Sequence, residues 1–311
     1  MMSLKFYGVR GSIATAGDDT RRYGGNTSCV AVRAAGQTLI FDAGTGIRPL
    51  GNELFKAGGA VDAHLFFSHL HWDHIQGFPF FGPAFAPTTT LNVYGVAPPT
   101  PKPPLGDNPF DIPQGGESQT LHDGAPTVDA SAGVRAAMAA QMTAPNFPVG
   151  LDAMRADMRF CDVPYGERIH VGPVLVRHVG VDHPNGCVAY RVEHGGKSVV
   201  YATDLELAEG KDGAVFDALV DLSRNADLLV FDAMYTPEEY DGGNGRGSRR
   251  GWGHSTFEMG AAVADAAHVG QLCLFHHDPA HDDAFMDALH ERAQKRFAHV
   301  TVAREGLEVS L

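Results

Sequence analysis

Ser68-His69-Leu70-His71-Trp72-Asp73-His74 places three imidazoles and a carboxylate within six residues. Neutral imidazole and carboxylate are the ligands preferred by Zn²⁺ and similar borderline cations. Ahead of this run lies Ala63-His64-Leu65-Phe66-Phe67, an apolar, aromatic stretch with the character of a buried strand. In extended chain, residues i and i+2 point to the same side, so His69 and His71 can reach one ion as the strand ends. Asp73 keeps that parity, while His74 turns aside and can serve a second ion. A polar loop with a chance cluster is the competing reading. The scarcity of histidine and the order of the residues favour a site with an open coordination position.

The arrangement His69-x-His71-x-Asp73-His74 resembles the HxHxDH motif of the metallo-β-lactamase superfamily, whose members hydrolyse esters, amides and phosphodiesters. The motif identifies a superfamily and not a substrate. The resemblance implies an α/β (α+β) fold, a four-layer αββα sandwich.

The chain has 311 residues, of which 44% are apolar and 20% charged, the balance of an ordinary folded protein. Against 24 basic residues stand 37 acidic ones, a formal charge of −13. Such a surface repels anionic membrane and argues against an extended nucleic acid partner. Cys29, Cys161, Cys187 and Cys273 lie far apart with no CxxC spacing, which points to reduced thiols and a cytoplasmic protein. Met1-Met2-Ser3-Leu4-Lys5 leads straight into a strand-like run and does not read as a signal peptide; no run reaches the ~20 apolar residues of a membrane span. The sequence leaves a homo-oligomer open.

We expect one domain over residues 1–311. Strands are predicted at Leu4–Tyr7, Ser28–Arg33, Gln37–Phe41 and His64–Phe67, with a helix over Ile47–Lys56. Seven prolines between Ala97 and Pro113 rule out regular helix or central strand there. Helical stretches near Ser131–Met142 and Leu151–Met158 follow, so residues 97–165 read as a Pro-rich insertion over the core, either a lid or a surface excursion. Strands resume at Val174–Arg177, Cys187–Val192, Ser198–Ala202, Leu228–Phe231 and Leu272–Phe275. Helices are predicted at Val215–Arg224, Thr256–His268 and Asp283–Phe297, and a closing strand pair at Val300–Ala303 with Leu307–Ser310.

Three further segments supply candidate ligands, each beside a predicted strand. His183 sits in the turn Asp182-His183-Pro184-Asn185-Gly186 and resembles the superfamily's third histidine ligand; the trailing Tyr190-Arg191-Val192 resembles the tRNase Z branch. His178, within the preceding strand, is its competitor. Asp204 follows Ser198-Val199-Val200-Tyr201-Ala202 and resembles the family's bridging Asp, with a helix cap as the alternative role. In Phe275-His276-His277, adjacent side chains point opposite ways, so one histidine is the last ligand. The family match selects His276, and His277 is the alternative. By this resemblance His69, His71 and His183 hold one divalent ion, Asp73, His74 and His276 a second, and Asp204 bridges them. Zn²⁺ suits the set, with Mn²⁺ or Fe as alternatives. Two such cations lower the pKa of a bridging water toward ~7, so a hydroxide there needs no Ser or Cys nucleophile. Asp42, in Phe41-Asp42-Ala43-Gly44, resembles the family's early Asp, which supports a ligand from behind; a turn-forming Asp is the alternative.

Ser255-x-x-Glu258 has the form of a capping box, which starts a helix at Ser255 and fixes His254 just before it. A helix start favours phosphate oxygens, and a histidine there can protonate a leaving alkoxide. The His254-Ser255-Thr256, helix, strand, His276 order resembles the phosphodiesterase branch that includes tRNase Z. Asp73 shares the catalytic assignment with His254. Upstream, Arg246, Arg249 and Arg250 lie in a Gly-rich, locally basic loop and are candidates for substrate phosphates. With no long Lys/Gly-rich arm, a small phosphodiester or nucleotide fits better than tRNA. The alternatives are a metal-dependent lactone, thioester or β-lactam hydrolase of the same superfamily and a non-catalytic binding or sensing protein on this fold.

Overall fold

Apolar residues on both faces of a strand need cover on both sides, and the second half of the chain shows the consequence. In the computed structural model, which describes residues 2–96, 133–208, 210–243, 245 and 247–311, strands β1 (Met2–Gly8), β2 (Cys29–Ala34), β3 (Gln37–Phe41), β4 (Val61–Phe66), β5 (Thr89–Val96) and β6 (Asp157–Val163) build one sheet. Strands β7 (Ile169–Val171), β8 (Val174–Val181), β9 (Cys187–His194), β10 (Lys197–Ala202), β11 (Leu228–Asp232), β12 (Gln271–Phe275) and β13 (Val300–Val302) build the second. The last strand, β14 (Glu308–Ser310), returns to the first sheet beside β1, so each sheet has seven strands.

Alternation sorts the side chains into separate cores. From β10 and β11, Val199, Tyr201, Leu228 and Val230 point between the sheets, where they meet Phe6, Phe41 and Phe66 from the first sheet. Their neighbours Val200, Ala202, Leu229 and Phe231 point outward and are covered by Leu219 of α4 (Ala214–Ser223), Val263 of α6 (Phe257–Ala266) and Leu289 of α7 (Asp283–Arg296). On the far side, Ile47 and Leu50 of α1 (Ile47–Ala57) and Met138 of α3 (Val134–Gln141) cover the first sheet. Four layers result, helix, sheet, sheet, helix, as the motif implied. Two short helices, α2 (Trp72–Ile75) and α5 (Pro237–Tyr240), follow β4 and β11. No helix among the described residues is long and apolar enough to cross a membrane.

Phe41 is fully buried in the central core, with ring centroids of Phe66, Tyr190 and Tyr201 at 5.3, 5.5 and 5.6 Å. Phe41→Ala should cost about 3–5 kcal/mol of stability, the range for a large aromatic removed from a close-packed site, read as a lower denaturant midpoint at unchanged slope.

Several expectations need correction. Val300–Ala303 and Leu307–Ser310 do not pair: β13 runs parallel to β12 and β14 antiparallel to β1. The chain crosses from one sheet to the other at Gly306, whose N–H donates to the Phe6 carbonyl. Leu151–Met158 is not a helix. A single 3₁₀ turn, Leu151–Ala153, gives way to β6, and Met158 pairs with Leu91. The later part of the stretch expected as an insertion therefore forms the edge of the first sheet, and residues 97–132 of that stretch lie outside the described residues. Helix α6 is capped by Thr256, whose hydroxyl accepts from Met259 N–H, one residue later than the Ser255 box predicts. Ser255 Oγ instead donates to the Leu205 carbonyl at 2.8 Å.

Candidate metal centre

In each sheet four adjacent strands, reaching to one edge, are parallel, β3 to β6 in one and β10 to β13 in the other. Parallel strands present their C-terminal ends along one edge, the usual location of α/β ligand sites. Asp42 follows β3, the 69–74 run follows β4, Asp204 follows β10, Asp232 ends β11 and His276 follows β12. Asp42, Asp204 and His276 have φ of 61°, 52° and 61°, a left-handed backbone that non-glycine residues adopt at a cost. That turn aims each side chain off its strand and into a shared space.

The donor atoms of His69, His71 and His183 lie within 4.8 Å of one another, and so do those of Asp73, His74, Asp204 and His276. Asp204 faces both groups. Its Oδ1 is 3.7 Å from Nε2 of His69 and 3.7 Å from Nε2 of His183. Its Oδ2 is 3.1 Å from Nε2 of His74 and 3.3 Å from Nε2 of His276. Asp73 Oδ2 closes the second group at 3.3 Å from both His74 and His276 Nε2, and accepts from Ser12 N–H at 2.8 Å.

Hydrogen bonds behind the ring fix which nitrogen is free. A carbonyl oxygen only accepts, so His183 Nδ1, 2.8 Å from Gly253 O, carries the proton and leaves a lone pair on Nε2. His74 Nδ1 donates in the same way to Asp42 Oδ2 at 2.8 Å. Asp42 also accepts from Ser68 N, Ser68 Oγ and Tyr201 Oη, each at 2.8 Å.

The residues fit a divalent cation. His69 Nε2 is buried without a hydrogen-bond partner, although it faces the cluster. Ring nitrogens approach one another at 3.1 Å between His183 and His71 and 3.3 Å between His74 and His276. A proton or a cation between each pair satisfies both nitrogens. Burial holds the His69 imidazole well below its ordinary pKa and His183 down at about 3, so both stay neutral donors. Burial would raise the carboxyls of Asp73 and Asp204, but the surrounding imidazoles outweigh it and keep both ionised. For His74, burial lowers the pKa and Asp204, Asp73 and Asp42 more than reverse it. That negative field attracts any cation.

His254 stands beside both groups, its donor atom within 4.8 Å of those of His183 and Asp204 and, in another set, of Asp232 and His276. Its Nδ1 is 2.8 Å from Asp232 Oδ2. Burial pushes its pKa down, but the carboxylates of Asp232, then Asp204 and Asp73, outweigh this and raise it to about 9.

The competitors fall outside the cluster. His178 Nε2 accepts from Gly166 N–H at 3.0 Å, and His277 Nε2 is tied to the Ala303 carbonyl at 2.8 Å. Arg246 lies outside the described residues. Arg249 stacks over Trp252 at 4.4 Å, while Arg250 pairs with Asp241 at 2.6 Å and covers Tyr240. Sequence reasoning missed Asp232, Ser68 and Tyr201. Asp232 had a readable signal, since Leu228-Leu229-Val230-Phe231-Asp232 repeats the pattern of a buried strand ending in a carboxylate that marks Asp42.

A family profile described as the β-lactamase superfamily domain matches residues 117–277, more than half of the chain. A second, described as the metallo-β-lactamase superfamily, matches residues 22–135. Ribonuclease Z of Natronomonas pharaonis is 28% identical over 294 residues, covering 88% of this chain and 87% of its own. Among solved structures, a diphosphatase of the PhnP family superposes with a TM-score of 0.62 at 16% identity, covering 99% of this chain and 96% of its own. The short form of human tRNase Z superposes with a TM-score of 0.56 at 18% identity, covering 99% and 98%. These likenesses overturn the argument from net charge against an extended nucleic acid. Relatives that match along most of the chain are ribonucleases Z, and net charge averages over a surface whereas a site meets its partner through local groups. Fold, clustered donors and family profiles agree, and the chain belongs to the metallo-β-lactamase superfamily as a metal-dependent hydrolase of its tRNase Z-like branch.

Proposed function

We propose that this protein hydrolyses phosphodiester bonds at a two-cation centre, with His254 protonating the leaving oxygen. The observation that carries this reading is the His254–Asp232 pair set against both ligand groups. His69, His71 and His183 would hold one ion, Asp73, His74 and His276 the other, and Asp204 would touch both. Zn²⁺, with Mn²⁺ or Fe as alternatives, would supply positive charge for the phosphoryl oxygens and an acidified water as nucleophile. Asp42 holds His74 in its ligating tautomer. Asp232 occupies Nδ1 of His254, so the proton leaves from Nε2. Arg249 and Arg250, on the loop leading into His254, are our candidates for flanking phosphates.

The centre is buried, with His69, Asp73, His74, His183, Asp204, His254 and His276 each at most 9% exposed. The phosphodiester group it is proposed to act on is offered by an RNA chain and by a small diester or nucleotide alike. The relatives named ribonuclease Z support RNA, and small phosphodiesters are the narrower reading. Four unpaired cysteines support the cytoplasmic placement.

The test is a panel with metal-loaded protein: a bis-aryl phosphodiester, a cyclic nucleotide, a precursor tRNA, a lactone, a thioester and a β-lactam. Turnover is expected on phosphodiesters, and the fastest of them names the substrate class. Turnover confined to the lactone, thioester or β-lactam would sink the proposal.

A further inference from the structure

Glu206 is a carboxylate 3% exposed, two residues beyond Asp204. Burying a carboxylate is expensive unless donors surround it. Three do. Its Oε1 accepts from Gly251 N–H at 2.8 Å and from the Tyr240 hydroxyl at 2.6 Å. Its Oε2 accepts from Gly253 N–H at 2.8 Å. The side chain thus grips the segment 251–253 by its backbone.

That segment touches the site on two sides. The carbonyl of Gly253 is the acceptor for His183 Nδ1–H at 2.8 Å. The residue after Gly253 is His254. Gly253 has φ of 83°, and a Cβ there would stand 2.4 Å from His183 Nδ1. The backbone therefore presses directly on the imidazole, and a small shift of the segment must move both histidines. Neighbouring bonds run to the same place. Leu205 N–H donates to Asp232 Oδ2 at 3.2 Å, and the Glu206 N–H donates to Asp182 O at 2.8 Å, next to His183.

We infer that Glu206 is a positioning residue that sets His183 as a metal donor and His254 as a proton donor through one backbone segment. The His254 half rests on the phosphodiesterase reading; the His183 half does not. Groups behind a metal ligand commonly matter 10–100-fold to metal affinity. Glutamine keeps the shape of Glu206 but places an NH₂ against an amide N–H, so one of the two grips is lost.

The experiment compares the full chain with Glu206→Gln, Glu206→Asp and Tyr240→Phe. Zn²⁺ affinity is read by competition with a chromogenic chelator, and kcat and KM on a bis-aryl phosphodiester. Glu206→Gln should weaken the tighter Zn²⁺ step by about 10–100-fold and lower kcat with little change in KM. Glu206→Asp keeps the charge on a shorter stem that cannot span both amides, and should show the same paired loss in smaller degree. Tyr240→Phe keeps both amide grips and should stay close to wild type. Wild-type Zn²⁺ affinity and kcat in either folded Glu206 variant overturns the inference, as does an equal loss in Tyr240→Phe. The chelator measurement reads Glu206 whether or not any phosphodiester is cleaved, so the two readings fail separately.

Discussion

His254→Ala lowers kcat on a phosphodiester by about 10²–10⁴-fold, the range for a positioned general acid, while bound metal measured by elemental analysis stays at the wild-type amount. The expectation follows from where the side chain stands. Asp232 holds Nδ1 at 2.8 Å and a pKa raised to about 9 keeps a proton on the ring. In the assignment above, His254 completes neither ligand group, so its loss leaves seven donors in place. The size of the effect should depend on the leaving group. An aryl oxide leaves with little help, so a bis-aryl diester should show the low end, and a diester with an alkoxide leaving group the high end. Equal losses for both, or metal lost along with activity, would remove His254 from the proton-donating role.

Asp204→Asn removes bound metal and drops turnover by more than about 100-fold, beyond what losing a group behind a ligand costs. Each carboxylate oxygen faces a different ligand group, at 3.7 Å on one side and at 3.1 and 3.3 Å on the other. No other described side chain faces both groups through two oxygens. Asparagine is the informative replacement because it tolerates the left-handed backbone at φ 52° that alanine would strain. The variant should fold, as judged by a cooperative unfolding transition, yet hold less than its full metal after dialysis. Two tightly held ions with unchanged turnover would show that Asp204 does not bridge.

The centre was legible where chemistry and spacing coincide. His69, His71, Asp73 and His74 could be read from alternation along a strand end, and the four-layer fold from the family their motif resembles. Diverging side chains showed only that one of His276 and His277 faces the site; the family resemblance chose His276, and its backbone there is left-handed at φ 61°. Asp232 was overlooked because its partner lies 22 residues away on another element, and sequence offers no distance between them. Thr89–Val96 was not read as a strand although threonines, valines and a tyrosine crowd it. β14 could not be placed because pairing across sheets depends on where the chain crosses, and the turn at Gly306 sends it to β1 and not to β13. The charge argument failed for a simpler reason, as an average says nothing about one edge of a sheet.

The two sheets divide the donors between them. His69, His71, Asp73 and His74 belong to the layer made mostly by the first half of the chain, and His183, Asp204, His254 and His276 to the layer made by the second. A cation seated there is a cross-link between two slabs otherwise joined by apolar contact. Its binding free energy then opposes their separation, by about 2.7 kcal/mol when free metal stands at 100 times its dissociation constant. In the proposed arrangement catalysis and cohesion of the sandwich draw on the same few atoms, contributed by both halves of the chain.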